Sequence, residues 1–272
     1  MSASTLARGL APPVLVDLYR RWSGKTLRFI DVPEGWDEAV RLSTGYADGD
    51  ILERVLAATR AVVSGQAAFE RDSVLFDAPE LPFPLLAALL RAAVIERGDL
   101  TVVDFGGALG STYRQCRDFL DGLSRLRWHV VEQSAFAQAG REFATDELRF
   151  FAALDELPAL SNGAVIVASS VLQYLADPLD TLRRFAAMSA RHLVIDRTPM
   201  HRGATDRLCI QQVPSHIYRA SYPCWIFSQE ALLERLAPHW RVVADHPCAE
   251  GASQTEQGSP FEFRGLVLER LA

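Results

Sequence analysis

The sequence predicts an α/β protein: a doubly wound, mainly parallel seven-stranded sheet with an antiparallel last strand and a helical N-terminal cap. Three observations predict this fold. Apolar runs alternate with helix-like stretches from residue 99 onward, the last two runs have no helix between them, and the earlier residues are mostly helical in pattern. We therefore expect a helical cap region at residues 1–98 and an α/β domain at residues 99–272.

Helical signals dominate the first region. WDEAVRLSTGY carries acids in a first turn, and Gly45 is placed to end that helix. DGDILERVLAATRAVVSG offers Asp50 as an N-cap, an apolar face and a closing Gly65. LPFPLLAALLRAAVIERG has Pro84 near its first turn and Gly98 after its end. The region is thus expected to be mostly helical.

Strand and helix patterns alternate through most of the second region, which implies a parallel sheet covered by helices on both faces. The last connector, AEGASQTEQGS, is polar and glycine-bearing, so the last two strands should form an antiparallel hairpin. The predicted strands are LTVVDF, RWHVVEQ, ELRFFAA, GAVIVASS, RHLVIDRT, RVVADHPC and FEFRGLVLER. The predicted helices are STYRQCRDFLDGL, SAFAQAGREFA, DPLDTLRRFAAMSA and SQEALLERLAPH.

Composition and charge exclude several classes of function. The 272 residues include 28 basic and 34 acidic ones, a net charge of −6, so no broad surface for nucleic acid is expected. The longest apolar stretch, from Pro84, is interrupted by Arg91 and is too short to span a membrane, and no signal-peptide pattern is visible. The cysteines at 116, 209, 224 and 248 form no C-x-x-C pair. We expect buried thiols in a cytoplasmic protein and no metal site.

The stretch VVDFGGALG joins the first predicted strand to a helix and carries the clearest functional signal. Asp104 ends the strand at the edge where doubly wound sheets bind ligands. Gly106 and Gly107 allow close approach of a ligand to the backbone, and Gly110 allows tight helix packing. Glu132 ends the second strand, where an acid can accept both ribose hydroxyls of an adenosine.

Two cofactor classes use this geometry. A dinucleotide fold requires G-x-G-x-x-G and a pyrophosphate at the helix N-terminus, whereas this chain has G-G-x-x-G beside Asp104. A carboxylate there repels phosphate and attracts a cation, which favours S-adenosylmethionine, a sulfonium with an ammonium group and no phosphate. The alternative without a ligand is that Asp104 caps a helix and the glycines form a tight turn.

The same stretch resembles motif I of the class I S-adenosylmethionine-dependent methyltransferases, with Asp104, Gly106 and Gly110 matching and Ala108 in place of the middle glycine. VIVASSVLQYLADP resembles the motif after their fourth strand, with Gln173 at the usual His or Glu position. Nearly the whole chain is similar to an uncharacterised bacterial methyltransferase family, some of whose members occur beside surface-polysaccharide genes. The segments that carry this likeness include WHVVEQ, VIDRTP, VPSHIYRASYPCWIFS, WDEAVRLSTGY and ERDSVLFD.

The resemblance implies cofactor-binding roles for residues at four strand ends. Asp104, Gly106, Gly107 and Gly110 would surround the amino-acid part of S-adenosylmethionine, and Glu132 would bind its ribose. Ser169 and Gln173 would line the mouth beyond the fourth strand, with helix capping as the alternative. By position, Leu154 and Asp155 are candidates for the adenine contact.

The segment from Met200 to Phe227 has no helical period, and a loop of that length usually forms a lid or a binding surface. Its aromatics and arginines suit a polar acceptor such as a sugar or a carboxylate- or phosphate-bearing sugar conjugate; an inert excursion is the alternative. The family resemblance implies a sugar or a surface-polysaccharide precursor as the acceptor. His216 is the leading general base and Asp196 the second. The expected acceptor contacts are Arg197, Tyr218 and Tyr222, and Tyr46 and Arg71 are candidates in the cap.

These features predict a methyltransferase that uses S-adenosylmethionine and a small-molecule acceptor. A nicotinamide-dependent oxidoreductase or epimerase, and a protein that binds S-adenosylmethionine without catalysis, remain alternatives. The acceptor, the methylated atom and the oligomeric state do not follow from the sequence.

Overall fold

The computed structural model describes residues 27–32, 35–44, 49–71, 73–214 and 220–271. They belong to two compact units. The described residues of the smaller unit fall within Met1–Tyr46, Leu208–Cys224 and Gln254–Ser259, and those of the larger unit fall within Ala47–Arg207, Trp225–Ser253 and Pro260–Ala272. The predicted boundary at residue 98 stays a prediction. No helix in the described part of the chain has the length and apolarity needed to cross a membrane.

Strands and helices alternate along most of the chain. The strands are β1 (Arg28–Asp31), β2 (Phe69–Arg71), β3 (Val74–Phe76), β4 (Asp99–Phe105), β5 (Arg125–Val131), β6 (Leu148–Phe151), β7 (Val165–Ser169), β8 (His192–His201), β9 (Arg207–Gln212), β10 (Ser221–Ser228), β11 (Trp240–Gln254) and β12 (Pro260–Arg270). The helices are α1 (Trp36–Arg41), α2 (Gly49–Val63), α3 (Phe83–Ile95), α4 (Ser111–Arg117), α5 (Ser134–Gly140), α6 (Pro178–Ala187) and α7 (Gln229–Leu236).

The centre of the larger unit is a parallel sheet in the order β6-β5-β4-β7-β8. Its central strands are continuous apolar runs with almost no exposed surface, because helices cover both faces. A cluster that includes Ile166, Phe185, Leu193 and Trp240 fills the core. The parallel order brings the carboxyl ends of β4, β5, β7 and β8 to one edge, as the sequence predicts.

β12 runs antiparallel to β8 and pairs on its other side with β11. The predicted terminal hairpin is therefore confirmed. Its strands are longer than expected, because β11 extends to Gln254 through residues that we predict to be a connector. A register shift between Arg264 and Leu266 places a bulge in the β12–β8 pair.

Two further segments contain strands. The first region, predicted to be mostly helical, also contains the hairpin β2–β3, in which Phe69 and Phe76 stack with ring centroids 4.5 Å apart. The prediction of a long loop at Met200–Phe227 is corrected, because this segment contains β9 and β10, and β9 pairs with β1. Strands of three residues, such as β2 and β3, are too short to show a period, and pairing with a distant segment decides the structure of β9.

Candidate active site at the carboxyl ends of the strands

The turn after β4 reverses direction through three left-handed residues. Gly106, Ala108 and Gly110 have φ of 75°, 48° and 85°. A Cβ on Gly106 would lie 2.5 Å from a Val171 methyl, and one on Gly110 would lie 3.2 Å from Leu148. Glycine is thus required at the first position and favours close packing of α4 at the third. Ala108 adopts the same left-handed conformation at the expense of backbone strain.

Asp104 lies in the interior at the end of β4 with 1% of its surface exposed. Trp128 Nε1 donates a 3.0 Å hydrogen bond to its Oδ2. Burial raises the pKa of the carboxyl to about 7, while the Trp128 bond lowers this pKa and the charge of Glu132 raises it. A cation near Asp104 would stabilise the ionised carboxylate and lower its pKa, whereas an anion would raise that pKa further. The position therefore favours a cationic ligand.

Glycine is needed at position 107 because a side chain there would clash with the buried Asp104 carboxylate, and not because the backbone has a positive φ. A Cβ there would lie 2.5 Å from Asp104 Cγ and Oδ2. We expect Gly107→Ala to lower the free energy of unfolding by about 1–3 kcal/mol, the usual cost of overpacking. Gly122→Ala is the matched control, because its Cβ would meet nothing within 4 Å. Urea unfolding of both variants checks this prediction, and equal stabilities would contradict it.

Glu132 follows β5 and turns its carboxylate toward the same turn. Its Oε2 accepts a 2.7 Å hydrogen bond from the Gln133 backbone N–H. Burial raises the pKa of Glu132, and hydrogen bonds from the backbone of Gln133 and Ala108 oppose that rise. A carboxylate has about four acceptor positions, so two remain for hydroxyl donors of a ligand.

A third carboxylate stands at the start of α4. Glu70 of β2 is 6% exposed and accepts hydrogen bonds from the Ser111 hydroxyl and the Ser73 backbone N–H. Ser111 is the first residue of the helix that follows the glycine turn. The helix N-terminus, which attracts anions, therefore already faces a buried carboxylate.

The strand ends of β7 and β8 are joined by side-chain hydrogen bonds. Ser169 Oγ donates to Asp196 Oδ2 at 3.1 Å. Gln173 is fully buried, and its Nε2 donates to Ser170 Oγ at 3.1 Å and to the Arg197 carbonyl at 3.3 Å. Ser170 has φ of 55°. The buried Gln173 side chain therefore links the loop after β7 to strand β8 instead of presenting a surface to solvent.

β8 carries a bulge at its functional end. Asp196 and Arg197 together face the single residue Gly265 of β12, and Arg197 has φ of 50°. Bulges of this kind redirect side chains beside active sites. Asp196 is 7% exposed, and Arg197 Nε donates to Glu250 at 2.5 Å. Cys248 Sγ lies 3.5 Å from Asp196 Oδ1, and burial, followed by the charge of Asp196, raises the pKa of this thiol to about 12.

Four residues predicted for the acceptor site or the cap lie outside the described residues or belong to the smaller unit. His216, Tyr218 and Tyr46 lie outside the described residues. Tyr222 belongs to the smaller unit, where it is buried and its hydroxyl lies 3.3 Å from Gln211 Nε2. The roles of these four residues stay predictions.

Three further candidates have structural partners. Asp155, at the turn after β6, forms an exposed ion pair with Arg184 at 3.1 Å. Leu154 beside it is buried. Arg71 pairs with Glu80 at 3.1 Å and lies over the Phe69 ring.

Sequence reasoning missed four residues whose side chains contact this site: Glu70, Trp128, His246 and Cys248. The register of β4 and β5 places Trp128 opposite Val102, so a Trp–Asp104 contact could have been anticipated once those strands were paired. Glu70, His246 and Cys248 reach the site through contacts between segments that are distant in the sequence, so no local sequence pattern predicts them.

Comparison with known proteins gives structural likenesses only. No protein-family model and no curated protein matches the sequence. One solved structure is the Burkholderia thailandensis 1,6-didemethyltoxoflavin-N1-methyltransferase with bound 1,6-didemethyltoxoflavin and S-adenosylhomocysteine, at TM-score 0.44 and 16% identity over 90% of this chain and 95% of that one. Another is the N-terminal domain of EvdMO1 with S-adenosylhomocysteine and D-fucose, at TM-score 0.48 and 15% identity over 82% and 99%.

A third structure is CalS10 with bound S-adenosylmethionine, an amino pentose methyltransferase from Micromonospora echinaspora, at TM-score 0.43 and 11% identity over 69% and 91% of the two chains. The chain itself has the strand order β6-β5-β4-β7-β8-β12-β11, with β12 antiparallel to β8. This is the doubly wound, mainly parallel α/β sheet with an antiparallel last strand that the sequence predicts.

Proposed function

We propose that the protein is an S-adenosylmethionine-dependent methyltransferase acting on a small polar acceptor. One observation carries the proposal: three carboxylates, those of Asp104, Glu132 and Glu70, surround the glycine turn and the start of α4. A sulfonium and an ammonium group suit such a site, and a ribose supplies the hydroxyl donors that Glu132 can accept.

A dinucleotide is the weaker alternative at the same place. Its pyrophosphate would need the N-terminus of α4, where Ser111 already donates to Glu70. The negative charge of the pyrophosphate would also raise the electrostatic free energy of the Asp104 and Glu132 carboxylates, whose pKa values are already raised. These contacts favour a ligand without phosphate.

S-adenosylmethionine supplies a methyl group already activated by the sulfonium, so the chain itself needs mainly to position the acceptor in a dry pocket. A hydroxyl acceptor also has to lose a proton. His216 is our first candidate base and Asp196 the second, with Arg197, Tyr218 and Tyr222 as acceptor contacts. The acceptor we propose is a sugar or a surface-polysaccharide precursor, handled in the cytoplasm.

The base assignment makes a kinetic prediction. If the acceptor is a hydroxyl, His216→Ala should lower turnover by about 10²–10⁴-fold, the usual contribution of a positioned base. Affinity for S-adenosylhomocysteine should be nearly unchanged, because no cofactor group is assigned to His216. Initial-rate kinetics and calorimetry on the same variant check both parts. Normal turnover with a hydroxyl acceptor would remove His216 from catalysis.

The function is tested first by ligand preference. Calorimetry should detect binding of S-adenosylhomocysteine and little binding of NADPH. A thermal-shift screen of sugars, run with S-adenosylhomocysteine present, should then reveal the acceptor class. Tight NADPH binding without any response to S-adenosylhomocysteine would overturn the proposal. Cofactor binding without methyl transfer to any acceptor found in the screen would favour the non-catalytic alternative.

A further inference from the structure

Three side chains from β8 and β11 meet beside the strand-end site. Asp196 contributes a carboxylate oxygen, His246 a ring nitrogen and Cys248 its sulfur, and these atoms all lie within 4.8 Å of one another. His246 and Cys248 are two positions apart on β11, but Asp196 lies 50 residues before His246, so no local motif brings all three together. This oxygen, nitrogen and sulfur set is one that zinc accepts in proteins.

The hydrogen bonds around the cluster leave its centre electron-rich. His246 Nδ1 lies 3.2 Å from the Pro247 carbonyl, which can only accept, so Nδ1 carries the ring proton and Nε2 has a free lone pair. His246 Nε2 is buried and has no hydrogen-bond partner among the described residues. A carboxylate oxygen of Asp196 and Nε2 of His246 therefore lie close to the Cys248 sulfur. The thiol proton of Cys248 is the one donor hydrogen among these three groups.

The surroundings match those of a metal ligand set. Ligating histidines usually donate their second N–H to a carbonyl or carboxylate, as His246 does, and ligating carboxylates are hydrogen-bonded in turn, as Asp196 is by Ser169. The backbone leaves space for the cluster at Gly265, where a Cβ would lie 2.3 Å from His246 Cε1 and 3.0 Å from Asp196 Oδ1. The β8 bulge places Asp196 opposite this glycine.

We propose that Asp196, His246 and Cys248 bind a single Zn²⁺-type transition-metal ion with a fourth position open to water or an acceptor oxygen. On binding, the Cys248 thiol becomes a thiolate and its proton passes to solvent. Asp196 is then a ligand and is not available as a base, so proton removal falls to His216. The metal site does not depend on the proposed methyl transfer.

The test uses the full chain, freed of metal with a chelator and titrated with Co²⁺ as a spectroscopic substitute for Zn²⁺. We expect one equivalent of Co²⁺ to produce a thiolate-to-metal charge-transfer band that Zn²⁺ abolishes. Cys248→Ser should lose the band, and His246→Gln should weaken binding by at least about 10–100-fold, the loss seen for outer-shell partners alone. His239→Gln, at an exposed histidine of the same unit, is the matched control and should bind normally.

A second readout requires no variant. Zn²⁺ should slow alkylation of Cys248, measured by mass spectrometry of the wild-type protein, because the other three cysteines are buried and Cys248 is only partly so. The proposal is overturned if Co²⁺ gives no thiolate band, if the band persists in folded Cys248→Ser, or if Zn²⁺ leaves Cys248 alkylation unchanged. Binding of S-adenosylhomocysteine, measured separately, reports on the proposed function and not on this site.

Discussion

Asp104→Asn should make the protein more stable at pH 8 by up to about 4 kcal/mol, the difference between a pKa of about 7 in the folded chain and an ordinary carboxyl pKa in the unfolded chain. The raised pKa means that the folded state holds the proton more tightly than the unfolded state does. Stability from this group is therefore greatest below about pH 4 and is lost as the pH rises toward and through 7. Asparagine is neutral throughout and still offers Trp128 an oxygen acceptor.

Urea unfolding at pH 8 and pH 5 checks this result. At pH 5 the gain in the free energy of unfolding from Asp104→Asn should shrink to about 2 kcal/mol, because the destabilisation caused by the raised Asp104 pKa is smaller at that pH. Asp118→Asn is the matched control and should show little change, because Asp118 is an exposed residue of the same unit. A variant less stable than the wild type at pH 8 would contradict the prediction and would show that the ionised Asp104 carboxylate is stabilised in the folded protein.

Glu132→Ala should weaken binding of S-adenosylhomocysteine by about 1–3 kcal/mol, the scale of lost hydrogen bonds to a charged group. The reason is that the carboxylate, already held by two backbone N–H groups, keeps acceptor positions for the ribose hydroxyls. Calorimetry measures the loss. Glu132→Gln should lose less affinity, because it retains one acceptor oxygen.

Glu142→Ala is the control for that measurement. Its carboxylate is exposed and pairs with Arg60 at 2.6 Å, so its removal should leave affinity unchanged. Because Glu132→Ala also leaves two backbone donors without their acceptor, thermal melts must show that the variant is folded. A folded Glu132→Ala protein with wild-type affinity would mean that the ribose is bound elsewhere.

The succession of strands and helices was predictable because its signals are local. β4 and β5 are strands with apolar ends, and Asp104 and Glu132 are read directly from those ends. The turn at Gly106 and Gly110 was likewise predictable, because only glycine adopts such φ values without strain. The structure adds a different reason for Gly107, which is space for a buried carboxylate.

The unpredicted features depend on contacts between distant segments. Glu70 reaches α4 from a three-residue strand, and His246 and Cys248 reach Asp196 across a bulge in the β8–β12 pair. No spacing of residues along the chain encodes these contacts. The roles of His216 and Tyr218 stay predictions for another reason, since both lie outside the described residues.

A crystal structure with S-adenosylhomocysteine tests most directly whether the cofactor binds at the ends of β4 and β5. We predict that the ribose hydroxyls donate to Glu132 and that the amino-acid part lies along the turn from Asp104 to Gly110. Density for the ligand at any other place, with the Glu132 carboxylate free of it, would contradict this binding mode.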